Sequence, residues 1–391
     1  MMRADTRLRF EPSELLAQAS PQEASRGAIL LTGGTGFFGP FLLKSLLEQC
    51  EGEIFVLVRA KDPKAGMLRL RAALRTVGGA PGANTLDWER RVRPVCGDLA
   101  EANLGLSRTD WQLLSRQVHT IYHNGALVNY LFDYAAMRET NVGGTHEVIR
   151  LALSDRVKVL NHISTTFVFG WSVKRTLFET DTNPDMERLD FGYSQSKWVS
   201  EQVVLRAMQD GLQARIFRPA LLSPSIGGEG DHFDISIRLL AFMLKHRIGT
   251  TAKNQVSFFP ADLAADNIVA ISSLPESLST TCHVTRDTYA TMLDITTILA
   301  RLTRQSFENF ALNDFVPEVI ERCQKDDPLF PLLNFLVRSV SNITAMEFKR
   351  YDNSNFQRFR GQVTQGKEDP LLEDVVVGIL RFMRGHGIVE D

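Results

Sequence analysis

Tyr193 and Lys197 stand four residues apart in "FGYSQSKWVSEQ" (191–202), a spacing that puts both side chains on one face of a helix. A phenol and an ammonium so placed are either an ordinary surface pair or the proton-handling centre of an oxidoreductase. The second reading needs a further hydrogen-bond donor, a cradle for a hydride carrier and a scaffold that brings them together. Ser164, Thr165 and Thr166 in "NHISTTFVFGW" are candidates for that donor. They follow a short apolar run, so they fall at the carboxyl edge of a sheet, where parallel α/β folds bind ligands. Hydride addition to a carbonyl builds charge on oxygen, and a positioned acid or donor lowers that barrier.

The cradle is sought in "LLTGGTGFFG", where Gly33, Gly36 and Gly39 lie three apart after the apolar "AILLT" (28–32) and before the helical "PFLLKSLLEQC" with Pro40 near its first turn. Glycine lets a backbone come close to a pyrophosphate, and the helix N-terminus supplies N–H groups and a positive dipole end. A tight strand–helix turn alone would also use glycine. The strand before and helix after give the context a dinucleotide loop requires, and Gly33, Thr35, Gly36, Phe37, Phe38 and Gly39 are its candidate residues. The next strand ends "VLVRAK", with Arg59 where an acidic residue would hold the ribose 2′-hydroxyl of NAD. Arginine suits a phosphate through its planar fork, so NADP(H) is the expected cofactor. Arg69 either joins Arg59 or shares a solvated helix face with Arg71. In "CGDL", Asp98 and Leu99 fall where an adenine would sit, although Asp98 also reads as a plain turn residue. In "HNGALVN", Asn124, Gly125 and Ala126 form a small-residue turn able to approach the cofactor. His123 and His162 read as satisfied structural histidines, and no metal site is expected.

The elements that must position these residues alternate. Strands are expected at 28–32, 53–58, 92–96 (weakened by Pro94), 120–123, 157–164 and 213–217; helices at 65–78, 139–154 and 193–210. Short apolar strands alternating with helices predict a doubly wound parallel sheet. Residues 1–26 read as a peripheral arm or linker, with a short helix at "PSELLAQA" capped by Ser13. Residues 27–225 read as the nucleotide-binding domain. Residues 226–391 read as a mainly helical second region, with helices at 235–248, 294–303 and 373–385 and a strand at 282–285 that could return to the sheet. "GANTLDW" (82–88) and "SIGGEGDHF" (225–233) are loop candidates.

Bulk properties exclude several classes. The 391 residues are 44% hydrophobic and 23% charged with a formal net charge of −2. That gives no general pull toward nucleic acid. Cys50, Cys96, Cys282 and Cys323 form no C-x-x-C, which argues for reduced thiols rather than zinc or disulfides. The N-terminus is too charged for a signal peptide, and no apolar run is long enough to span a membrane. A cytoplasmic protein is expected; oligomeric state leaves no trace in the sequence.

With "LLTGGTGFFGPFLLKSLL", "VLVRAKD", "GDL", "IYHNGALVNYLFDYAAMRETNVGGTHEVIRLAL", "ISTTFVFG", "GYSQSKWVSEQVV" and "RPALLSPS" in hand, the chain resembles the thioester reductase family of the extended short-chain dehydrogenase/reductase superfamily. These are the terminal reductase domains of nonribosomal peptide and polyketide synthases and the reductase part of carboxylic acid reductases. The match is strong over 28–225. It implies a Rossmann fold and NADPH-dependent reduction of an acyl or peptidyl thioester, carried on the phosphopantetheine of a carrier protein or on CoA. The product is an aldehyde, reduced onward to an alcohol in some relatives. It implies Tyr193 as proton donor, Lys197 as the group that steadies the phenolate and holds the nicotinamide ribose, and Thr165, favoured over Ser164 by the count back from Gly170, as second donor. Pro219 and Leu222 match positions lining the nicotinamide; relatives often carry glycine where Ala220 stands. Asn141 reads as a structural tie. Phe169, Trp171 and Phe178 are either acyl-channel or core residues. Lys245, His246 and Arg247, and Arg358 and Arg360, are either solvated faces or contacts for an acidic carrier. The rival readings are a sugar-nucleotide epimerase or dehydratase, a free-carbonyl reductase, and a nucleotide-sensing regulator without turnover. Arg59 and "HNGALVN" argue against the sugar-nucleotide enzymes, and the intact Tyr–Lys pair against the regulator.

Overall fold

The computed structural model describes residues 1–18, 27–79, 85–184, 189–231, 234–346, 348–363 and 369–389. The end of the expected arm (19–26) and two parts of the expected loops (82–84 and 232–233) lie outside them. The strands are β1 (Ala28–Thr32), β2 (Ile54–Val58), β3 (Val92–Cys96), β4 (Val118–His123), β5 (Val159–Ile163), β6 (Thr176–Leu177), β7 (Ala214–Pro219), β8 (Leu221–Ser223), β9 (Ile248–Thr250), β10 (Phe258–Pro260), β11 (Thr281–Val284), β12 (Glu308–Phe310) and β13 (Arg350–Tyr351). Seven form one parallel sheet in the order β11-β7-β5-β4-β1-β2-β3. β2, β5 and β7 are buried along their whole length; β2 is an unbroken apolar run, while β5 buries Asn161 and His162 and β7 buries Arg215 and Arg218 among their apolar residues. Pro94 is tolerated because β3 is an edge strand, where one side of the ladder needs no N–H donor. Strand order reverses between β1 and β4, opening the crevice in which such sheets bind ligands.

Two apolar layers cover the sheet. One packs the helix Gly39–Gln49 together with Ala261–Ser272; the other packs Gly144–Leu153 together with Gly192–Gln209. A third cluster joins Ile235–His246, Met292–Thr303, Leu312–Arg322, Leu333–Ala345 and Leu372–Gly385. The C-terminal stretch therefore contributes to both bodies. β11 extends the main sheet, Ala261–Ser272 lies on the glycine-loop helix, and the rest builds the separate core.

Several local expectations need correction. Ser13 does not cap its helix, which runs Pro12–Gln18 and so contains Ser13 in its first turn. Proline suits that first position because its missing N–H would be unpaired there anyway. The expected loop at 82–88 is helical from Thr85. The expected helix 139–154 is broken. Tyr134–Arg138 leads into a π-turn, Glu139–Gly143, before the α-helix Gly144–Leu153. Residues 1–18 are docked: the buried Asp5 carboxylate receives Tyr134 Oη at 2.7 Å and pairs with Arg138 at 2.6 Å.

Candidate active site

β5 ends at Ile163, and the chain turns at once into Ser164, Thr165 and the short turn Thr166–Phe169. Thr165 starts that turn by accepting Phe167 N–H at 3.2 Å on Oγ1. The same hydroxyl is hydrogen-bonded to Tyr193. Ser164 is spent elsewhere: its Oγ donates to Glu201 Oε2 at 2.5 Å. Glu201 in turn pairs with Arg218 of β7 at 2.6 Å, both about 1% exposed. This buried ion pair braces the end of β5 from behind.

Tyr193 and Lys197 lie on the first turns of the helix Gly192–Gln209. Lys197 Nζ donates to Ile163 O at 2.7 Å, tying the helix to the end of β5. Burial pulls the ammonium down to about 8, with the nearby Glu201 charge resisting. Burial pushes the Tyr193 phenol up to about 12, with the Thr165 hydroxyl opposing. The phenol therefore stays protonated near neutrality, the form a proton donor needs.

Asn141, in the π-turn, links three parts. Its Oδ1 accepts Leu127 N–H at 2.7 Å, and its Nδ2 donates to Leu127 O at 3.0 Å and to Ser196 Oγ at 2.8 Å. The π-turn thus holds the loop after β4 against the helix Gly192–Gln209, beside Lys197.

These residues surround two adjoining cavities. One, about 350 Å³, is lined by Gly33, Gly36, Phe37, Phe38, Asn124, Gly125, Ala126, Thr165, Tyr193, Lys197, Pro219 and Leu222 among others. The second, about 220 Å³, shares Gly33, Gly36, Gly125 and Ala126 and adds Thr35, Arg59, Arg69, Asp98 and Leu99. Gly39 lines neither cavity. A Cβ there would collide with Gly33 O, so it is glycine because the helix packs on its own loop. Gly36 differs: its Cβ would meet only Gly33 O, at 3.5 Å, and the residue lines both cavities. A bare backbone facing a roomy crevice at a helix N-terminus fits a pyrophosphate. Arg59 and Arg69 are exposed at the far end, with Arg69 Nη1 donating to Arg59 O. Arg71 is apart from them, in a two-point pair with Glu89 at 2.7 and 2.6 Å. Asp98 also serves its turn, accepting Ala100 N–H at 3.0 Å.

Other expectations divide. His123 is satisfied, with Thr32 at 2.9 Å and Thr145 at 3.0 Å. His162 is structural but not satisfied: fully buried, it has no hydrogen-bond partner on either ring nitrogen, and burial keeps it neutral. Phe169 is core, 1% exposed; Trp171 lines a separate cavity near the site; Phe178 is 46% exposed beneath Lys174. The basic clusters are not simply solvated. Lys245 and His246 both meet Asp327, Arg360 pairs with Asp369, and Arg358 lies over Phe359 at 4.4 Å. Sequence reasoning missed Tyr130, whose ring sits 6.2 Å from that of Tyr193 in an aromatic cluster with Phe167, Phe191 and Phe335. Its signal was present in "HNGALVNYLFDY". Among the described residues, no group of three or more His, Cys, Asp or Glu could hold a metal, and no helix is long and apolar enough to cross a membrane.

Known proteins are similar to this chain in sequence and in fold. The sequence model of an NAD-binding family described as "Male sterility protein" matches residues 31–268. The chain is 35% identical over 322 residues to part of the linear gramicidin synthase of Brevibacillus parabrevis, covering 81% of this chain and 6% of that protein. It is 31% identical over 280 residues to the L-2-aminoadipate reductase large subunit of Penicillium chrysogenum, covering 67% of this chain and 19% of that protein. The chain thus spans only a small part of either relative. The crystal structure of the terminal R domain from the myxalamid PKS-NRPS pathway superposes with a TM-score of 0.90 at 29% identity, covering 100% of this chain and 98% of that one.

Proposed function

Because the chain belongs to the NAD-binding male sterility protein family, alongside the terminal reductase domains of nonribosomal peptide and polyketide synthases in the extended short-chain dehydrogenase/reductase superfamily, we propose that it is an NADPH-dependent thioester reductase. Its substrate is an acyl or peptidyl group on the phosphopantetheine of a carrier protein, or on CoA. The observation that carries this reading is that Thr165, Tyr193 and Lys197 line the same crevice as Gly33 and Gly36 of the glycine loop.

When bound, the nicotinamide cofactor would supply the hydride. Gly33, Thr35, Gly36 and the helix N-terminus would hold its pyrophosphate, Asp98 and Leu99 would flank the adenine, and Arg59 with Arg69 would take the 2′-phosphate. Pro219 and Leu222 would line the nicotinamide end. Thr165 and Tyr193 aim hydroxyl hydrogens at the substrate oxygen. As charge develops there, Tyr193 gives up its proton, yielding a thiohemiacetal that collapses to aldehyde and free thiol. Lys197, anchored by Ile163 O, would hold the ribose hydroxyls and balance the phenolate left behind.

The test is a panel of acyl-CoA and carrier-bound acyl thioesters, following NADPH loss and thiol release together. One thiol freed per NADPH oxidised supports the reading; cofactor oxidation independent of thioester across the panel removes it. The choice of cofactor is tested separately. Arg59→Ala raises KM for NADPH on the order of 10-fold or more, as expected for losing charge-assisted hydrogen bonds, with little change for NADH. An unchanged NADPH/NADH ratio contradicts it.

A further inference from the structure

A third cavity, about 200 Å³, adjoins the catalytic one, and Phe167, Ala220 and Leu221 line both. Its wall is largely apolar, with Phe167, Trp171, Phe191, Val256 and Ile343 prominent. One basic side chain stands in it. Lys349, 8% exposed, lies just ahead of β13, which pairs with β6 across from the loop after β5. The nearby polar side chains are already engaged. Asn254 Nδ2 donates to Ile343 O at 2.6 Å, Tyr289 Oη to Tyr351 O at 3.1 Å, and Tyr351 is hydrogen-bonded to Thr166.

Lys349 is not fully engaged. Nζ donates to Gly170 O at 2.9 Å, Met346 Sδ lies at 3.5 Å, and the Tyr351 ring faces the ammonium with its centroid 5.6 Å away, so a single oxygen acceptor serves it. An ammonium has three donors and a thioether is a weak acceptor. None of the ion pairs among the described residues involves Lys349, and burial alone pulls the amine down, to about 7. A buried amine without a counter-charge is costly, and an oxygen acceptor brought by a ligand would relieve it.

We infer that this cavity receives the acyl chain and that Lys349 reads an oxygen acceptor, a carboxylate or carbonyl, at a distance from the thioester along an otherwise apolar chain. The inference rests on the thioester-reductase reading and adds the class of acyl group. It makes Lys349 a specificity residue.

The test uses the full chain with three thioesters of equal length, one ending in methyl, one in carboxylate and one in a methyl ketone. Wild type favours at least one acceptor-ended chain over the methyl-ended chain in kcat/KM by on the order of 10-fold, the value of a charge-assisted hydrogen bond. Which of the two gains more distinguishes acid from neutral carbonyl. Lys349→Met brings the ratio close to one, and Lys349→Arg restores part of it. A lysine that merely holds the Gly170 carbonyl would lower all three together and leave the ratio intact. Calorimetric binding of unreactive acyl-amide analogues of pantetheine, without cofactor, repeats the comparison independently of turnover. A wild-type ratio near one in both assays, or a ratio that survives Lys349→Met, overturns the inference. If no thioester is turned over but the binding preference stands, the proposed reaction fails while the acceptor site remains.

Discussion

At the scale of single residues, the account depends on two titrating groups pushed in opposite directions by the same burial. Burial holds Tyr193 up at about 12, so near neutrality it is a phenol, the form the proposed proton donor needs. Tyr193→Phe should slow thioester reduction on the order of 10²–10⁴-fold, read by single-turnover kinetics. Near-wild-type turnover would take Tyr193 out of the reaction. Lys197 is held down at about 8, so it is an ammonium below that pH and an amine above it. If the ammonium is needed, kcat/KM falls as pH rises through about 8. Lys197→Arg, which cannot lose its proton in this range, should keep its residual activity flat there; a wild-type profile flat to well above that pH argues against the role. These residues were legible because a helix face is written in local spacing. Their support was not: Ser164, Glu201 and Arg218 meet across β5, the catalytic helix and β7, and no local pattern records that. The same holds for Lys349, whose carbonyl partner Gly170 lies far away in sequence.

At the scale of elements, the strands were the most legible because buried parallel strands are short, mainly apolar runs, unbroken in β2 and interrupted only by Asn161 and His162 in β5. The π-turn at Glu139–Gly143 was not, since one widened turn leaves the helical pattern almost unchanged. It is nevertheless what turns Asn141 toward both Leu127 and Ser196. The catalytic helix is secured to β7 through Glu201 and Arg218. Removing one partner leaves the other charge buried and unpaired, so Glu201→Ala should cost about 3–5 kcal/mol in urea unfolding. A cost below about 1 kcal/mol, the range of a surface pair, would show that water or other groups compensate. The glycine loop and its helix are locked by Gly39. Gly39→Ala puts a methyl group against the Gly33 carbonyl, so both thermal stability and dinucleotide binding should fall. Unchanged cofactor affinity would mean that the loop yields without losing its shape.

At the scale of the whole molecule, the C-terminal half both extends the sheet and builds its own core, and one buried carboxylate joins the pieces. Glu179, 3% exposed, accepts N–H groups from His283 of β11 at 2.8 Å and from Asn355 and Phe356 at 2.6 and 3.2 Å. Glu179→Ala strands three buried donors and should destabilise the fold by about 3 kcal/mol or more; calorimetry would show a lowered Tm. A Tm unchanged by the substitution would mean that the two halves hold together without it. Sequence pattern could propose β11 as a returning strand, but not this tie, because it joins Glu179 to residues 104 and 176 positions further along the chain. The central claim is that the crevice delivers hydride to a thioester carbonyl, and isotope transfer tests it most directly. With NADPH deuterated on the transferring face of the nicotinamide and an acyl-CoA substrate, mass spectrometry should find one deuterium on the former thioester carbon of the aldehyde, with one free thiol for each NADPH oxidised. NADPH oxidation with no deuterium on that carbon, or thiol release without NADPH oxidation, would contradict the account.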